Sequence, residues 1–320
     1  MGRAAAREFA KRGASLGLLA RGADGLAGAR AEAESLGARV VTVPTDVSDP
    51  EQVEKAAQMV ERQFGSIDVW VNNAMVSVFS PVRQMQPEEY RRVTEVTYLG
   101  VVYGTLAALR RMLPRNQGVI IQVGSALAMR SIPLQSAYCA AKHAIRGFTA
   151  SLRSELLHDH SRVRVSMVHL PAMNTPQFEW VKSRLPRKPQ PVPPIFEPEV
   201  AARAIVYATE NDIGREMLVA WPTVKAVFGN KVIPGLLDRW LARVGYGAQQ
   251  TDEIADPARP DNLWAPLPGD HGAHGTFGRR AKRRSRELWI RQHRRGLVMA
   301  AAVLGTGLAA MMRPGNHRSR

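Results

Sequence analysis

A tyrosine and a lysine near the middle of the chain have the types and spacing of a proton-transfer site. Tyr138 and Lys142 lie four positions apart in an Ala- and Leu-rich stretch, Ser136–His158, that predicts a helix. This spacing places both side chains on one face of the helix, about one turn apart. A cation in that position stabilises a phenolate, so we expect the pKa of Tyr138 to fall from about 10 towards the working range. A tyrosine tuned in this way can donate or accept a proton at a substrate oxygen.

Tyr-x-x-x-Lys alone is a weak motif, because it also occurs as a solvated pair on surface helices. The position of Ser125 makes the motif more specific. Ser125 follows the apolar run Gly-Val-Ile-Ile-Gln-Val of residues 118–123 and stands thirteen positions before Tyr138. Ligands of parallel sheets bind beyond the carboxyl ends of the strands. A serine at such an end can offer its hydroxyl to the same substrate oxygen.

These three residues lie within an alternation of short apolar strands and longer helices. The predicted strands cover residues 15–20, 39–43, 67–71, 118–123, 162–168 and 216–221, and the predicted helices cover 1–12, 23–36, 50–64, 87–113, 136–158 and 197–209. Strands that alternate with helices in this way indicate βαβ units, and near-continuous apolar strands indicate burial on both faces. The sequence therefore predicts an α/β fold with a doubly wound parallel sheet.

Over residues 1–245 the chain resembles the short-chain dehydrogenase/reductase family. The segments that carry the resemblance are Asp46-Val47 after a strand, Asn72-Asn73-Ala74, Gly124-Ser125, Tyr138-Cys-Ala-Ala-Lys142, and residues 170–175 after the strand at 162–168. The resemblance implies a Rossmann-type sheet and a nicotinamide cofactor. It also implies hydride transfer between that cofactor and a carbonyl or alcohol.

The resemblance further implies roles for individual residues. Tyr138 would be the general acid or base, Lys142 would lower its pKa and bind the nicotinamide ribose, and Ser125 would hold the substrate oxygen. The residues that would bind the dinucleotide, besides Tyr138 and Lys142, are Gly2 in the phosphate turn, Asp46 and Val47 at the adenine, Asn73 and Ala74 at the adenosine ribose, and Met173 and Thr175 at the nicotinamide.

The end of the first predicted strand bears on the choice of dinucleotide. NAD-binding folds of this type place an acid near this point to accept the ribose hydroxyls. Residues 15–20 are instead followed by Arg21 and Gly22, with no acid before Asp24. Arg21 can pair with a 2′-phosphate, so we favour NADP(H) over NAD(H). The alternative is that Arg21 simply faces solvent.

Three departures from the family pattern affect the site. The chain begins Met1-Gly2-Arg3, so only the last glycine of the phosphate turn remains and the strand before it is absent. We expect two interior strand edges to be unpaired as a result, and we expect Met1 to be an internal codon of a longer reading frame. Thr97 replaces the usual catalytic asparagine and lacks the amide that holds the relay water. Met75 replaces a glycine, and Leu170-Pro171 replaces the usual Pro-Gly.

The segment 174–200 lies where the family places a mobile substrate lid. It contains Phe178, Trp180 and Phe196, and six prolines fall within residues 185–198. An apolar lid suits apolar carbonyl substrates, while ordinary packing under a long loop explains the aromatic residues equally well. The eight histidines show no ligand spacing, and Cys139 is the single cysteine. We therefore predict no disulfide and no metal site.

The net charge of +16 is concentrated near the C-terminus. Residues 279–295 contain nine Lys and Arg against one acid, and residues 313–320 contain three arginines, on either side of the uncharged segment 296–312. We predict a catalytic domain over 1–245, a flexible linker over 246–278 and a polybasic tail over 279–320. As a helix, residues 296–312 would span about 25 Å, at the lower bound for a membrane anchor.

Three interpretations of the tail remain open: a membrane anchor, an apolar helix that is buried or bound to a partner, and a nucleic-acid segment, which is the least favoured. An anchor would leave the catalytic domain in the cytoplasm beside anionic lipids. Family analogy suggests a homo-oligomer formed through helices 87–113 and 136–158. The second interpretation of the whole chain is a catalytically weakened cofactor-binding or scaffold protein at the membrane.

Overall fold

The computed structural model describes residues 1–293, in which parallel strands alternate with helices. The apolar segment 296–312 and the arginines of residues 313–320 lie outside the described residues. The strands are β1 (Leu16–Ala20), β2 (Val40–Pro44), β3 (Val69–Asn72), β4 (Val78–Phe79), β5 (Val119–Ser125), β6 (Arg164–Leu170), β7 (Lys182–Ser183), β8 (Arg187–Pro189), β9 (Glu216–Leu218) and β10 (Gln250–Ile254). The helices are α1 (Gly2–Ala10), α2 (Ala23–Ser35), α3 (Pro50–Phe64), α4 (Pro87–Thr94), α5 (Gly100–Met112), α6 (Ser136–His158), α7 (Gln177–Trp180), α8 (Pro198–Glu210), α9 (Trp221–Val232), α10 (Pro234–Val244) and α11 (Arg286–Gln292).

The central sheet is parallel and has the strand order β3-β5-β6-β9. Its longest pairing joins β5 to β6, from Val119 opposite Arg164 to Ser125 opposite Leu170. Strands β1 and β2 form a separate parallel pair. Within residues 1–293, β1 pairs only with β2, and β3 pairs only with β5. These are the two edges that the sequence analysis expected to be unpaired, so the predicted α/β fold is present with its sheet in two parts.

Helices cover both faces of the central sheet, as a doubly wound fold requires. On one face, Ile121 and Val168 pack with Ala4 of α1 and with residues of α8. On the other face, Ile120 and Val165 pack with residues of α3, α5 and α6. Successive residues of β5 point to opposite faces, and both faces are buried. This double burial explains the continuous apolar run that precedes Ser125.

Helix α3 shows how local sequence sets an element's boundaries. The Asp49 carboxylate accepts hydrogen bonds from the backbone N–H groups of Glu51 and Gln52, and Pro50 occupies the first turn, where no intrahelical donor is lost. The helix ends at Gly65, whose φ of 84° is accessible mainly to glycine. These boundary signals can be recognised in the sequence alone. Helices α3 and α6 both span the residues predicted for them.

The long helix predicted over residues 87–113 is interrupted. Helix α4 ends at Thr94, residues 95–99 form one π-helical turn, and α5 begins at Gly100. A Cβ on Gly100 would lie 2.7 Å from Cγ2 of Val47, so the chain can pass this point only with a glycine. Insertions of this kind are frequent at functional sites, and this one contains Thr97.

Residues 246–278 differ from the predicted flexible linker, because the structure packs them on the domain. Strand β10 pairs antiparallel with β8 in the proline-rich loop. Farther along, Leu263 is fully buried and Ala273 is 3% exposed. The Gly-, Pro- and Asp-rich composition predicted a linker, but a few apolar side chains suffice to hold such a segment when each has a matching site. We call residues 262–277 the strap.

The first part of the polybasic tail also lies on the domain. Helix α11 buries Leu288 in the cluster that contains the residues of α8, and Arg203 donates a hydrogen bond to the carbonyl of Arg283. Within residues 1–293, no helix combines the length and the apolar character that crossing a bilayer requires.

Candidate active site

Ser125, Tyr138 and Lys142 meet at the carboxyl edge of the central sheet. Ser125 is the last residue of β5, and the other two lie in the first two turns of α6. The Ser125 side chain lies close enough to the phenol of Tyr138 to lower the pKa of that phenol. The Nζ atom of Lys142 lies 5.6 Å from the centre of the Tyr138 ring. The three residues singled out by their spacing are therefore neighbours in space.

The surroundings of Ser125 orient its hydroxyl. Its Oγ accepts a hydrogen bond from the backbone N–H of Leu127 at 3.1 Å, which leaves the hydroxyl proton for an acceptor on the other side. The carbonyl of Ser125 accepts a hydrogen bond from Nδ1 of the fully buried His169 at 3.1 Å. A Cβ on Gly124 would lie 2.7 Å from the same Nδ1 atom, so only glycine fits there. The sequence analysis missed His169, because a histidine inside a strand carries no motif.

Lys142 is almost fully buried, at 3% exposure. Its Nζ donates a hydrogen bond to the carbonyl of Val123 at 2.7 Å. Burial disfavours the charged ammonium and lowers the pKa of Lys142 to about 8. The ammonium is thus hydrogen-bonded to the backbone of β5, two residues before Ser125.

The pKa of Tyr138 moves in the direction opposite to the one predicted. Burial raises the pKa above its ordinary value of 10, and the neighbouring Ser125 side chain opposes this rise without cancelling it. The sequence argument considered the neighbouring cation and left out desolvation, which disfavours a phenolate inside the protein. Tyr138 is therefore a neutral phenol at physiological pH and holds a proton that it can donate.

The pKa of Lys142 predicts a measurable pH dependence of stability. Between pH 8 and about 10, the unfolded chain keeps the Lys142 proton while the folded protein releases it, so the free energy of unfolding rises with pH. Lys142→Met removes this contribution. Over that interval we expect wild type to gain about 2 kcal/mol relative to the variant in urea unfolding. Exposed Lys55→Met should follow wild type, and parallel curves for wild type and Lys142→Met would contradict the assignment.

Thr97 supports the loop that follows β3. It is fully buried in the π-helical turn. Its Oγ1 donates a hydrogen bond to the carbonyl of Val76 at 2.9 Å and accepts one from the N–H of Val76 at 3.1 Å. The hydroxyl is thus used to hold that loop, and a catalytic role of Thr97 stays a prediction.

The predicted adenosine-ribose residues follow β3. Asn73 and Ala74 begin the loop there, and the Oδ1 atom of Asn73 is buried with no hydrogen-bond partner. A Cβ on Gly2 would lie 2.9 Å from Nδ2 of the same side chain, so the first turn of α1 passes very close. An unpaired buried oxygen is costly, and a ribose hydroxyl is a donor that would satisfy it. This part of the site fits a dinucleotide.

The predicted nicotinamide-side residues follow β6. Met173 and Thr175 are 6% and 7% exposed, and the N–H of Thr175 donates a hydrogen bond to the carbonyl of Met173 at 3.0 Å. Asn174 lies between them. Its backbone N–H donates a hydrogen bond to the carbonyl of Phe196 at 2.7 Å, and its side chain donates one to Glu197. The segment is therefore a rigid turn at the same edge of the sheet as Ser125.

The predicted adenine-side residues have protein partners. Arg21 donates hydrogen bonds to the carbonyls of Asn262 at 2.5 Å and Trp264 at 2.9 Å, so the interpretation that it simply faces solvent is wrong. The Asp46 carboxylate forms an ion pair with Arg92 at 2.5 Å. Its second oxygen accepts hydrogen bonds from the N–H and hydroxyl of Ser48.

Val47, next along the chain, packs in an apolar cluster with Leu263 of the strap. Arg92 also donates a hydrogen bond to the carbonyl of Leu263 at 3.0 Å. Sequence reasoning missed Arg92, because it lies on α4, far from Asp46 in the chain.

One group of side chains has metal-ligand spacing among residues 1–293. Ligand atoms of Glu197, Glu199 and His274 lie within 4.8 Å of one another. These atoms are already engaged, since Glu199 pairs with Arg7 at 2.7 Å and with His274 at 2.9 Å. Glu197 accepts a hydrogen bond from Asn174. The group serves as a polar junction between α1, α8 and the strap.

Comparison with known proteins agrees with this geometry. The sequence model described as "short chain dehydrogenase" matches residues 1–185. The uncharacterized oxidoreductase YxnA of Bacillus subtilis is 31% identical over 307 residues, which cover 95% of this chain and 85% of YxnA. Estradiol 17-beta-dehydrogenase 11 of Pongo abelii is 36% identical over 156 residues, which cover 49% of this chain and 52% of that protein.

A solved structure shares the fold. An alcohol dehydrogenase from the archaeon Thermococcus sibiricus, complexed with 5-hydroxy-NADP, superposes with a TM-score of 0.56 at 26% identity. The superposition covers 68% of this chain and 90% of the archaeal one. The sequence model spans more than half of the chain, and YxnA matches along nearly all of it. The chain belongs to the short-chain dehydrogenase family of NAD(P)-dependent oxidoreductases.

Proposed function

We propose that this protein reduces a carbonyl compound with NADPH, or oxidises the corresponding alcohol, and that Tyr138 transfers the proton. The observation that carries the proposal is the convergence of three residues: Ser125 at the end of β5 lies beside Tyr138, and the buried Lys142 lies one helical turn away. A serine hydroxyl and a neighbouring phenol can both donate hydrogen bonds to one substrate oxygen that lies between them.

Each residue of the site has its own part in the proposed reduction of the carbonyl. When bound, the nicotinamide supplies the hydride that the carbonyl carbon receives. The neutral phenol of Tyr138 donates a proton to the carbonyl oxygen, and Ser125 donates a hydrogen bond to the same oxygen. The Lys142 ammonium, fixed to the Val123 carbonyl, supplies positive charge near the phenolate that remains. Alcohol oxidation is the reverse sequence, with the phenolate as base.

The test is turnover by the purified chain. We expect NADPH oxidation, followed at 340 nm, with at least one member of a panel of aldehydes and ketones, together with one alcohol formed per NADPH consumed. The absence of turnover with both NADPH and NADH across the panel, in a protein that binds either dinucleotide, would favour the alternative of a weakened cofactor-binding or scaffold protein.

Arg21 supports NADP(H) as the preferred dinucleotide. Its guanidinium follows β1, where a 2′-phosphate would be met, and the similar archaeal dehydrogenase is described as complexed with 5-hydroxy-NADP. We expect Arg21→Ala to raise the KM for NADPH about tenfold and to change the KM for NADH little, because a charged hydrogen bond to phosphate is lost. Arg30→Ala, on the exposed face of α2, is the control. An equal effect on both dinucleotides would contradict the assignment.

The proposed substrate is an apolar carbonyl or alcohol. Among the aromatic residues of segment 174–200, Phe178 and Phe196 are buried in packing, at 6% and 4% exposure. Phe178 contacts Phe79 and Phe277 edge to face. These contacts favour ordinary packing of the aromatic residues over a lid that lines the substrate. The remaining support for an apolar substrate is similarity to a protein named as an estradiol dehydrogenase.

Contact with a membrane through residues 279–320 stays a prediction, as does a cytoplasmic location. One observation in the described residues supports it: α9 and α10 expose Trp221, Phe228, Leu236 and Trp240, each by more than half. Exposed apolar side chains on surface helices can insert into the interface of a bilayer. Sedimentation of the full chain with anionic vesicles, but not of a chain lacking residues 296–320, would support the anchor. A full chain that stays in the supernatant would contradict it.

A homo-oligomer formed through α5 and α6 is also proposed. Leu106 of α5 and Leu157 of α6 are 43% and 69% exposed, and Leu113, which directly follows α5, is 44% exposed. Exposed apolar patches of this kind often mark an interface. Light scattering that gives the monomer mass at micromolar concentration would contradict the proposal.

A further inference from the structure

The strap contacts the dinucleotide-binding residues in an ordered way. At its beginning, Leu263 packs with Val47, which is predicted to lie at the adenine. On either side of Leu263, the carbonyls of Asn262 and Trp264 accept hydrogen bonds from Arg21, which is predicted to bind the 2′-phosphate. These contacts place the first residues of the strap at the adenosine end of the site.

The middle of the strap lies over the first turns of α1 and α2. The N–H of Gly269 donates a hydrogen bond to the Asp24 carboxylate at 2.6 Å. Asp270 forms an ion pair with Arg3, the residue that follows Gly2. A Cβ on Gly28 would collide with the Asp270 side chain. This part of the strap is therefore beside the helix start that is predicted to hold the pyrophosphate.

The end of the strap reaches the nicotinamide side. Ala273 is buried in the cluster that contains Met173. The N–H of Gly275 donates a hydrogen bond to the carbonyl of Asn174 at 3.3 Å. A Cβ on Gly275 would lie only 2.6 Å from the carbonyl oxygen of Thr175, so the strap passes as closely as two backbones can.

The order of these contacts along the strap follows the parts of a dinucleotide: the adenosine end with its 2′-phosphate, then the pyrophosphate, then the nicotinamide. A surface loop packed at random would contact a few neighbouring positions and would not follow the site from end to end. The strap is also built to open in the middle. The beginning is held by the buried Leu263 and the end by the buried Ala273 and the half-buried Phe277. Between them, Gly269 and Gly272 have φ values of 89° and 67°, and the contacts of Gly269 and Asp270 are polar.

We propose that the strap is a clasp over the dinucleotide site, which must lift before the cofactor can enter or leave. The inference rests on the proposed NADP(H) function and deepens it. The residues of the strap are positioning residues: they retain the cofactor and take no part in the transfer of hydride or proton. In this proposal the polar contacts of residues 265–272 set the rate of cofactor exchange.

One close approach allows a direct test. An ideal Cβ on Gly22 lies 3.5 Å from Cβ of Pro266, within the range that a disulfide spans. The chain's own Cys139 is buried and does not compete. In the double variant Gly22→Cys/Pro266→Cys, we expect oxidation to slow both binding and release of NADPH at least tenfold, as followed by NADPH fluorescence in stopped flow. Reduction with dithiothreitol should restore both rates. The single variant Gly22→Cys should show no redox effect.

Equal binding and release rates in the oxidised and reduced double variant would overturn the clasp while leaving the NADP(H) function intact. A protein that binds no dinucleotide in either state would overturn both. Hydrogen exchange of the wild-type protein gives a second measurement that does not depend on a disulfide. We expect the amides of residues 265–277 to exchange at least fivefold more slowly with saturating NADPH. Unchanged exchange there would also overturn the clasp.

Discussion

Replacing Tyr138 with phenylalanine should lower kcat for carbonyl reduction about a thousandfold. The substitution removes the phenolic O–H, which is the proton that the carbonyl oxygen must receive, and it leaves the ring and its packing in place. Ser125 lies beside the phenol, and its Oγ keeps the hydrogen bond from the N–H of Leu127, so we expect the backbone to stay in place. The thermal midpoint should change by no more than a few degrees.

The matched control for Tyr138→Phe is Tyr246→Phe, which removes the same hydroxyl from a side chain that is 47% exposed. It should retain wild-type kcat. Binding of NADPH, measured by fluorescence, separates a loss of chemistry from a loss of cofactor, and Tyr138→Phe should bind with an affinity close to wild type. Turnover within a few fold of wild type would refute the role of Tyr138 as proton donor.

Much of the fold could be predicted because its signals are local. Asp49 and Pro50 set the start of α3, and the apolar run before Ser125 could only be a strand buried on both faces. What escaped prediction depends on contacts between distant residues. Thr97 looked like a member of a continuous helix, yet its hydrogen bonds to Val76 accompany a π-helical turn that no periodicity could indicate.

The same division holds for the candidate site. Ser125, Tyr138 and Lys142 were found because helix geometry and strand ends follow from short stretches of sequence. Arg92 was not found, because only the folded chain brings α4 to Asp46. The direction of the Tyr138 pKa was wrong for a related reason: charge can be counted in a sequence, whereas desolvation depends on everything packed around the phenol.

The strap is the clearest case of tertiary contacts overriding composition. Its glycines, prolines and acidic residues are typical of a linker. Leu263 nevertheless fits an apolar cluster formed by the β2–α3 and β3–α4 connections, and Asp270 meets Arg3. Neither partner is near in sequence, so neither contact was predictable from the segment itself. The match to YxnA over 95% of this chain shows that the similarity extends beyond the catalytic motifs into this half of the chain.

The second large effect is expected at Ser125. Ser125→Ala should lower kcat about a hundredfold and change KM little, because the hydroxyl stabilises charge that develops on the substrate oxygen during the reaction. The loss should be smaller than for Tyr138→Phe, since the proton donor remains. Ser154→Ala, on the exposed face of the same helix as Tyr138, is the matched control and should keep wild-type kcat.

A pH profile distinguishes this role of Ser125 from a merely structural one. The Ser125 side chain lowers the pKa of Tyr138 against the effect of burial. Without that hydroxyl the phenolate is harder to form, so alcohol oxidation by Ser125→Ala should require a higher pH than oxidation by wild type or Ser154→Ala. A variant with reduced kcat and an unshifted profile would indicate that Ser125 supports the end of β5 and does not act on the phenol. A shifted profile would tie Ser125, Tyr138 and the substrate oxygen into one hydrogen-bonded unit.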